Sequence, residues 1–120
     1  MIKSFTDLEQ SRKLAEILPL DSANMQYISF RHKDDTIEWI PQLGTPSKYD
    51  IPGWSLAALL ELLPKRLQIG DNVYELSVYL YGLYYWNITN GNPCFESKDK
   101  DNLVDACYEA IVFLHEQKLL

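Results

Sequence analysis

Nucleophilic catalysis needs a Ser, Cys or Thr beside a base that a third group orients, and this chain of 120 residues offers few such partners. Its histidines are His32 and His115, and its cysteines are Cys94 and Cys107. Cys107 and His115 fall in one helical pattern, at a spacing of roughly 80° of rotation and about 12 Å of rise, so they cannot touch within it. No spacing pairs Cys94 with either histidine. A metal site wants several His, Cys or carboxylate ligands at fixed spacing. The nearest approach is His32-x-Asp34-Asp35, which reads as a solvated turn. Asp99 and Asp101 alternate with Lys98 and Lys100, as in a solvated loop entering a helix. The glycines, Gly44, Gly53, Gly70, Gly82 and Gly91, stand singly and build no phosphate loop. These residues predict no enzyme, no metal and no cofactor.

One segment is unusual. Between Tyr74 and Trp86 stand Tyr79, Tyr81, Tyr84 and Tyr85 as well, so six of these thirteen residues are Tyr or Trp. Two readings are open. Aromatic residues form strands well and fill the helix-covered face of a sheet. Alternatively Tyr79, Tyr81 and Tyr85 lie on the other face and form part of a protein-binding surface, where Tyr and Trp are enriched.

The elements that must position these residues can be read from periodicity. Thr6 and Glu9 have capping-box spacing and open a helix over 6–18, which Pro19 stops. Its apolar stripe is Leu8, Ser11, Ala15 and Leu18, with Leu14 beside it. Residues 25–31 and 36–40 alternate as strands joined through His32-Lys33-Asp34-Asp35, and the mixed faces of the first predict cover on both sides. The chain from Pro41 to Gly53, with three prolines and two glycines, reads as an irregular connection. Ser55 caps a short, mostly buried helix ending at Pro64, with Trp54 and Leu59 placed as a hydrophobic staple. Two further strands, 73–80 and 83–89, would turn at Tyr81-Gly82, where glycine can take φ > 0. A polar loop, with a short extended piece at 94–96, leads to a helix over 102–118 capped by Asp101. Leu103, Cys107, Ala110, Ile111 and Leu114 form its core stripe, with Val112 and Phe113 off it. The predicted order α-β-β-α-β-β-α defines an α+β fold, with three helices on a small antiparallel sheet of about four strands. A chain of this length forms a single domain over 1–120.

Charge limits the partners. Seventeen acidic against eleven basic side chains give a net charge of −6, and the basic residues occur only in short groups, which argues against nucleic acid. Residues 1–7 lack the apolar stretch of a signal peptide, and the longest apolar run, Leu56 to Leu63, is far below a membrane span. Asn87-Ile88-Thr89 matches a glycosylation sequon that has no secretion signal to accompany it. The expectation is a cytoplasmic protein that contacts neither nucleic acid nor membrane. A two-fold homodimer is the commonest assembly for such a domain.

Three ordered stretches carry a family resemblance: Phe5-Thr6-Asp7-Leu8-Glu9-Gln10-Ser11-Arg12-Lys13-Leu14-Ala15-Glu16-Ile17-Leu18-Pro19-Leu20, then Trp54 through Pro64, then Asn102 through Glu109 with Leu114-His115-Glu116. Together they resemble a family of small uncharacterised proteins of Bacteroides-group gut bacteria, often found in phage or mobile-element regions. The resemblance implies an accessory protein of a bacterial cytoplasm and carries no biochemical activity with it. Members usually have a polar or basic residue where Phe113 stands here, which makes Val112 and Phe113 a candidate apolar patch.

The expected function is therefore a non-enzymatic protein-interaction or accessory module. Its candidate surface is Tyr79, Tyr81, Tyr85, Val112 and Phe113, and its partner an unidentified protein. Two alternatives stand beside it. One is a small-molecule binder or minor enzyme with a pocket between the sheet and the central helix. The other is an acidic mimic of nucleic acid, which the scattered carboxylates disfavour.

Overall fold

The computed structural model describes residues 3–97 and 101–120. Lys98, Asp99 and Lys100, read as part of a solvated loop, lie outside the described residues, as do Met1 and Ile2. The first helix, α1, spans Leu8–Ala15. Its capping box is formed one residue later than the spacing predicts. Asp7 Oδ1 accepts from the Gln10 amide at 2.8 Å, and Gln10 Oε1 accepts from the Asp7 amide at 3.1 Å. Thr6 is displaced from the cap because its hydroxyl is used in the core, where it meets Ser11 Oγ at 2.7 Å and accepts from the Trp54 amide at 3.1 Å.

After a 3-10 turn at Leu20–Ser22 the chain forms β1 (Met25–Arg31) and β2 (Ile37–Leu43), paired antiparallel with Met25 opposite Leu43 and Arg31 opposite Ile37. The segment expected to be irregular thus begins as the end of β2. It closes with a further strand, β3 (Ile51–Gly53), which pairs with Met25–Tyr27 and completes a sheet in the order β2-β1-β3. The second helix, α2 (Leu56–Leu62), is capped by Ser55 as expected, its Oγ accepting from the Ala58 amide at 3.2 Å. Both members of the staple, Trp54 and Leu59, are fully buried.

A second antiparallel sheet follows in the order β4-β5-β6-β7, built from β4 (Arg66–Ile69), β5 (Asn72–Tyr79), β6 (Gly82–Asn87) and β7 (Pro93–Glu96). The last helix, α3 (Leu103–Glu116), starts at Asn102 and not at Asp101. Asn102 Oδ1 accepts from the Asp105 amide at 2.9 Å. The fold is α+β as expected, with two sheets where the sequence pattern predicts one. The additional strands are short, and β3 and β4 show too few residues for alternation to be read.

The core lies between the β4–β7 sheet and the helices. Cys107, Ala110, Ile111 and Leu114 of α3 are fully buried, as are Leu83 and Tyr85 of β6 and Leu14 of α1. Trp54 links this core to the first sheet. Its indole N–H donates to Ser22 Oγ at 3.0 Å and its carbonyl accepts from the Thr6 amide at 2.9 Å. Tyr27 completes the junction, its hydroxyl donating to the Thr6 carbonyl at 2.7 Å.

Beyond Tyr27 the β1–β2 hairpin leaves the core. Every residue from Ser29 to Glu38 is exposed, so the cover expected on both faces of the first strand is missing from its outer half. The molecule measures 60 × 29 × 19 Å with a radius of gyration of 16.2 Å, against about 13.6 Å for a compact chain of this length.

Candidate interaction surfaces

Strand register decides where each aromatic side chain points. Leu76 stands opposite Tyr85 and Ser77 opposite Tyr84, and directly paired residues share a face. Tyr85 therefore joins Leu76 on the core face. It is fully buried and its hydroxyl donates to the Pro64 carbonyl at 2.7 Å. Burial pushes its phenol well above the usual tyrosine range, with the neighbouring Cys94 and Cys107 adding to the shift. Tyr85 is thus a core residue and is removed from the candidate surface. The outer face holds Glu75, Ser77, Tyr79, Tyr84 and Trp86, largely engaged with one another. The Trp86 indole N–H donates to Ser77 Oγ at 2.9 Å, the Tyr79 and Tyr84 rings lie 6.2 Å apart, and Arg66 meets Glu75 at 2.7 Å.

The turn between β5 and β6 is Leu80-Tyr81, one residue earlier than expected, and Gly82 does not have a positive φ. Glycine is needed there for space: a Cβ on Gly82 would lie 2.5 Å from Tyr79 Oη and 2.6 Å from Ser97 Oγ. Val78, Tyr79, Leu80 and Tyr81 are 45%, 47%, 75% and 55% exposed, an apolar tip in open solvent. Leu80 and Tyr81 form one wall of a cleft of about 480 Å³, whose other lining residues are Lys3, Leu56, Asp101, Asn102 and Leu103. Two of its polar lining residues, Lys3 and Asn102, are already committed. Lys3 Nζ donates to Asp105 Oδ1 at 2.7 Å, and Asn102 Nδ2 donates to Asp105 Oδ2 at 2.8 Å. Partial burial works against the Asp105 charge, yet hydrogen bonds from Lys3, Gln10 and Asn102 hold its carboxyl below the usual carboxylate range.

Val112 and Phe113 occupy a different place. The Phe113 ring packs on Phe95 of β7 with centroids 4.9 Å apart, and both residues line a groove of about 340 Å³ with Tyr108, Glu109 and Glu116. Phe113 lies ten residues along α3 from Leu103 at the cleft, about 15 Å by helical rise. The predicted surface is therefore two separate patches. Phe113 lies off the helix stripe because β7 covers that corner.

The groups considered for catalysis remain apart in character. Both cysteines are free thiols. Burial pushes the Cys107 thiol up to about 12 and also raises that of Cys94, opposite to the shift an activated thiolate requires. His32 pairs with Glu38 at 2.8 Å on the exposed arm. Among the described residues no three His, Cys, Asp and Glu side chains gather in a group able to hold a metal ion. No helix among them is long and apolar enough to cross a membrane. The sequon residue Asn87 is buried, its Oδ1 accepting from the amides of Thr89 and Asn90 at 2.8 and 3.2 Å.

The surface missed by sequence reasoning is the arm. Phe30 and Ile37 are 51% and 53% exposed. The signal lies in the mixed faces of β1, for which the sequence pattern predicts cover by neighbours within the domain. No protein-family model, curated protein or solved structure matches this chain.

Proposed function

We propose that this protein is a non-enzymatic interaction module that receives an apolar side chain of a partner protein in the cleft beside the Leu80-Tyr81 turn. One observation carries the reading: Leu80 and Tyr81, largely exposed at the tip of the β5–β6 hairpin, line a cleft together with Leu56 and Leu103. An aromatic anchor beside a pocket, ringed by polar groups, is the usual anatomy of an interface centre. The resemblance to small accessory proteins of mobile elements agrees with a partner-binding role in a bacterial cytoplasm.

A photo-crosslinking residue placed at Tyr81 in the native host tests this. The expected result is a discrete protein adduct that is lost when Leu80→Asp is added and retained with Phe30→Asp. An adduct indifferent to Leu80→Asp, or none at all, overturns the reading.

The cleft volume favours one second reading, since about 300–1,000 Å³ is the usual size of a small-molecule site. Such sites also offer convergent polar groups. Here Lys3 and Asn102 are spent on Asp105, which favours an apolar protein side chain over a polar metabolite. Saturable stabilisation of the domain by a nucleotide or metabolite, abolished by Leu103→Asp, would reverse that order.

A further inference from the structure

We infer that the β1–β2 arm is a self-association element, and that its occupant is the arm of a second copy of this chain. The first observation is area. The molecule exposes 7828 Å², whereas a compact monomer of its 13.9 kDa mass exposes about 6,700 Å². The excess is about 1,100 Å², and a standard interface covers about 800 Å² on each partner. The arm is where surface is displayed, since Ser29 to Glu38 are all exposed.

The second observation is the chemistry of one face. Direct pairing places Ile28 opposite Ile40, Phe30 opposite Glu38 and Gln26 opposite Gln42. All six share the face opposite to the one through which Met25 and Tyr27 enter the core. An apolar centre of Ile28, Ile40 and Phe30 is thus bordered by the Gln pair on one side and by His32 with Glu38 on the other. That sequence of groups is complementary to itself when turned about a two-fold axis, as an isologous contact requires.

Charge points the same way. Residues 25–43 carry Arg31 and Lys33 against Asp34, Asp35 and Glu38, a net charge of 2 − 3 = −1 out of −6 for the chain. Arg31 lies 3.8 Å from Asp35, so part of the charge is paired internally. The arm therefore offers little attraction to a strongly basic or acidic partner and little repulsion to its own copy. Contact through the arms also keeps the more acidic bodies apart. Edge-to-edge extension of the sheet is the poorer geometry. The bonds His32 N to Thr36 O and Gly44 N to Asn24 O bracket the ladder, which turns position 41 outward, and Pro41 has no N–H to offer there.

Size-exclusion chromatography with light scattering decides the matter. The whole protein at about 100 µM, above the Kd of most standard-size interfaces, is expected at about 28 kDa, twice 13.9 kDa. Phe30→Asp is expected to return it to a monomer with cooperative unfolding retained. Ile28→Thr with Ile40→Thr keeps strand preference, and is expected to do the same if the Asp variant fails to fold. Leu80→Asp, which addresses the cleft, is expected to leave the dimer intact. A wild-type monomer overturns the inference and leaves the arm to another protein. A dimer that survives both arm variants overturns it as well.

Discussion

The two hairpins of this molecule are close in composition and opposite in circumstance. β5–β6 is flanked by β4 and β7 and covered by α3, so its Leu83 and Tyr85 are fully buried. β1–β2 is flanked only at its base by the three residues of β3, and from Ser29 to Glu38 every residue is exposed. Each has aromatic and β-branched residues on both faces of its strands. Local strand preference is therefore the same, and what differs is the presence of a covering element. A lone two-stranded ribbon is marginal in water, so the arm depends on its anchorage through Tyr27 and Met25, while the inner hairpin is held by the whole core.

Breaking the core should reveal the largest difference. Trp54→Ala removes a fully buried side chain and is expected to cost about 3–5 kcal/mol, measured by urea denaturation. Gly82→Ala comes next, at about 1–3 kcal/mol for overpacking, because the new Cβ meets Tyr79 Oη and Ser97 Oγ. Adding Tyr79→Ala should recover part of that loss, and a double-mutant cycle measures how much.

Asp105→Asn is expected to cost about 1 kcal/mol at neutral pH through weaker hydrogen bonds. Because the folded carboxyl sits below its usual value of 3.8, its stabilising effect is present above that value and is lost as pH falls through the lowered folded pKa. Wild type and variant should therefore converge in strong acid, read from thermal midpoints across pH. The smallest effect on domain stability is expected from Phe30→Ala, within about 0.5 kcal/mol for dilute protein. Hydrogen exchange sharpens the contrast: amides of Ile28 and Phe30 should exchange faster than those of Leu76 and Tyr85. That gap should narrow as concentration rises and the arms pair.

The elements were largely legible in the sequence because caps and periodicity are local. Ser55, the Trp54–Leu59 staple and four of the five α3 stripe residues stand where the pattern puts them; Leu103 instead lines the cleft, and Val104 and Ala106 are buried beside the stripe. Caps moved by one residue where a side chain had a tertiary use, as Thr6 does. Site residues were less legible, because facing depends on register and register is set between strands. Tyr85 shows this: the alternation of β6 alone does not say which half of its residues meets the helix, and pairing with Leu76 settles it. The arm was illegible for a related reason. Alternation marks a residue as apolar on a given face without saying whether anything covers that face.

The clasp between Thr6 and Trp54 has a consequence for the order in which the molecule takes shape. Its hydrogen bonds join residues 48 positions apart, so on a ribosome the first of them must wait for the second to emerge. At roughly 5–20 residues per second that delay is about 2–10 s, far longer than the microseconds in which a hairpin forms. The β1–β2 ribbon is thus complete in sequence before β3 and Trp54 exist to close its base. During synthesis its apolar face stands uncovered while the rest of the chain is made, and neighbouring nascent copies on one message are surfaces it can meet in that interval.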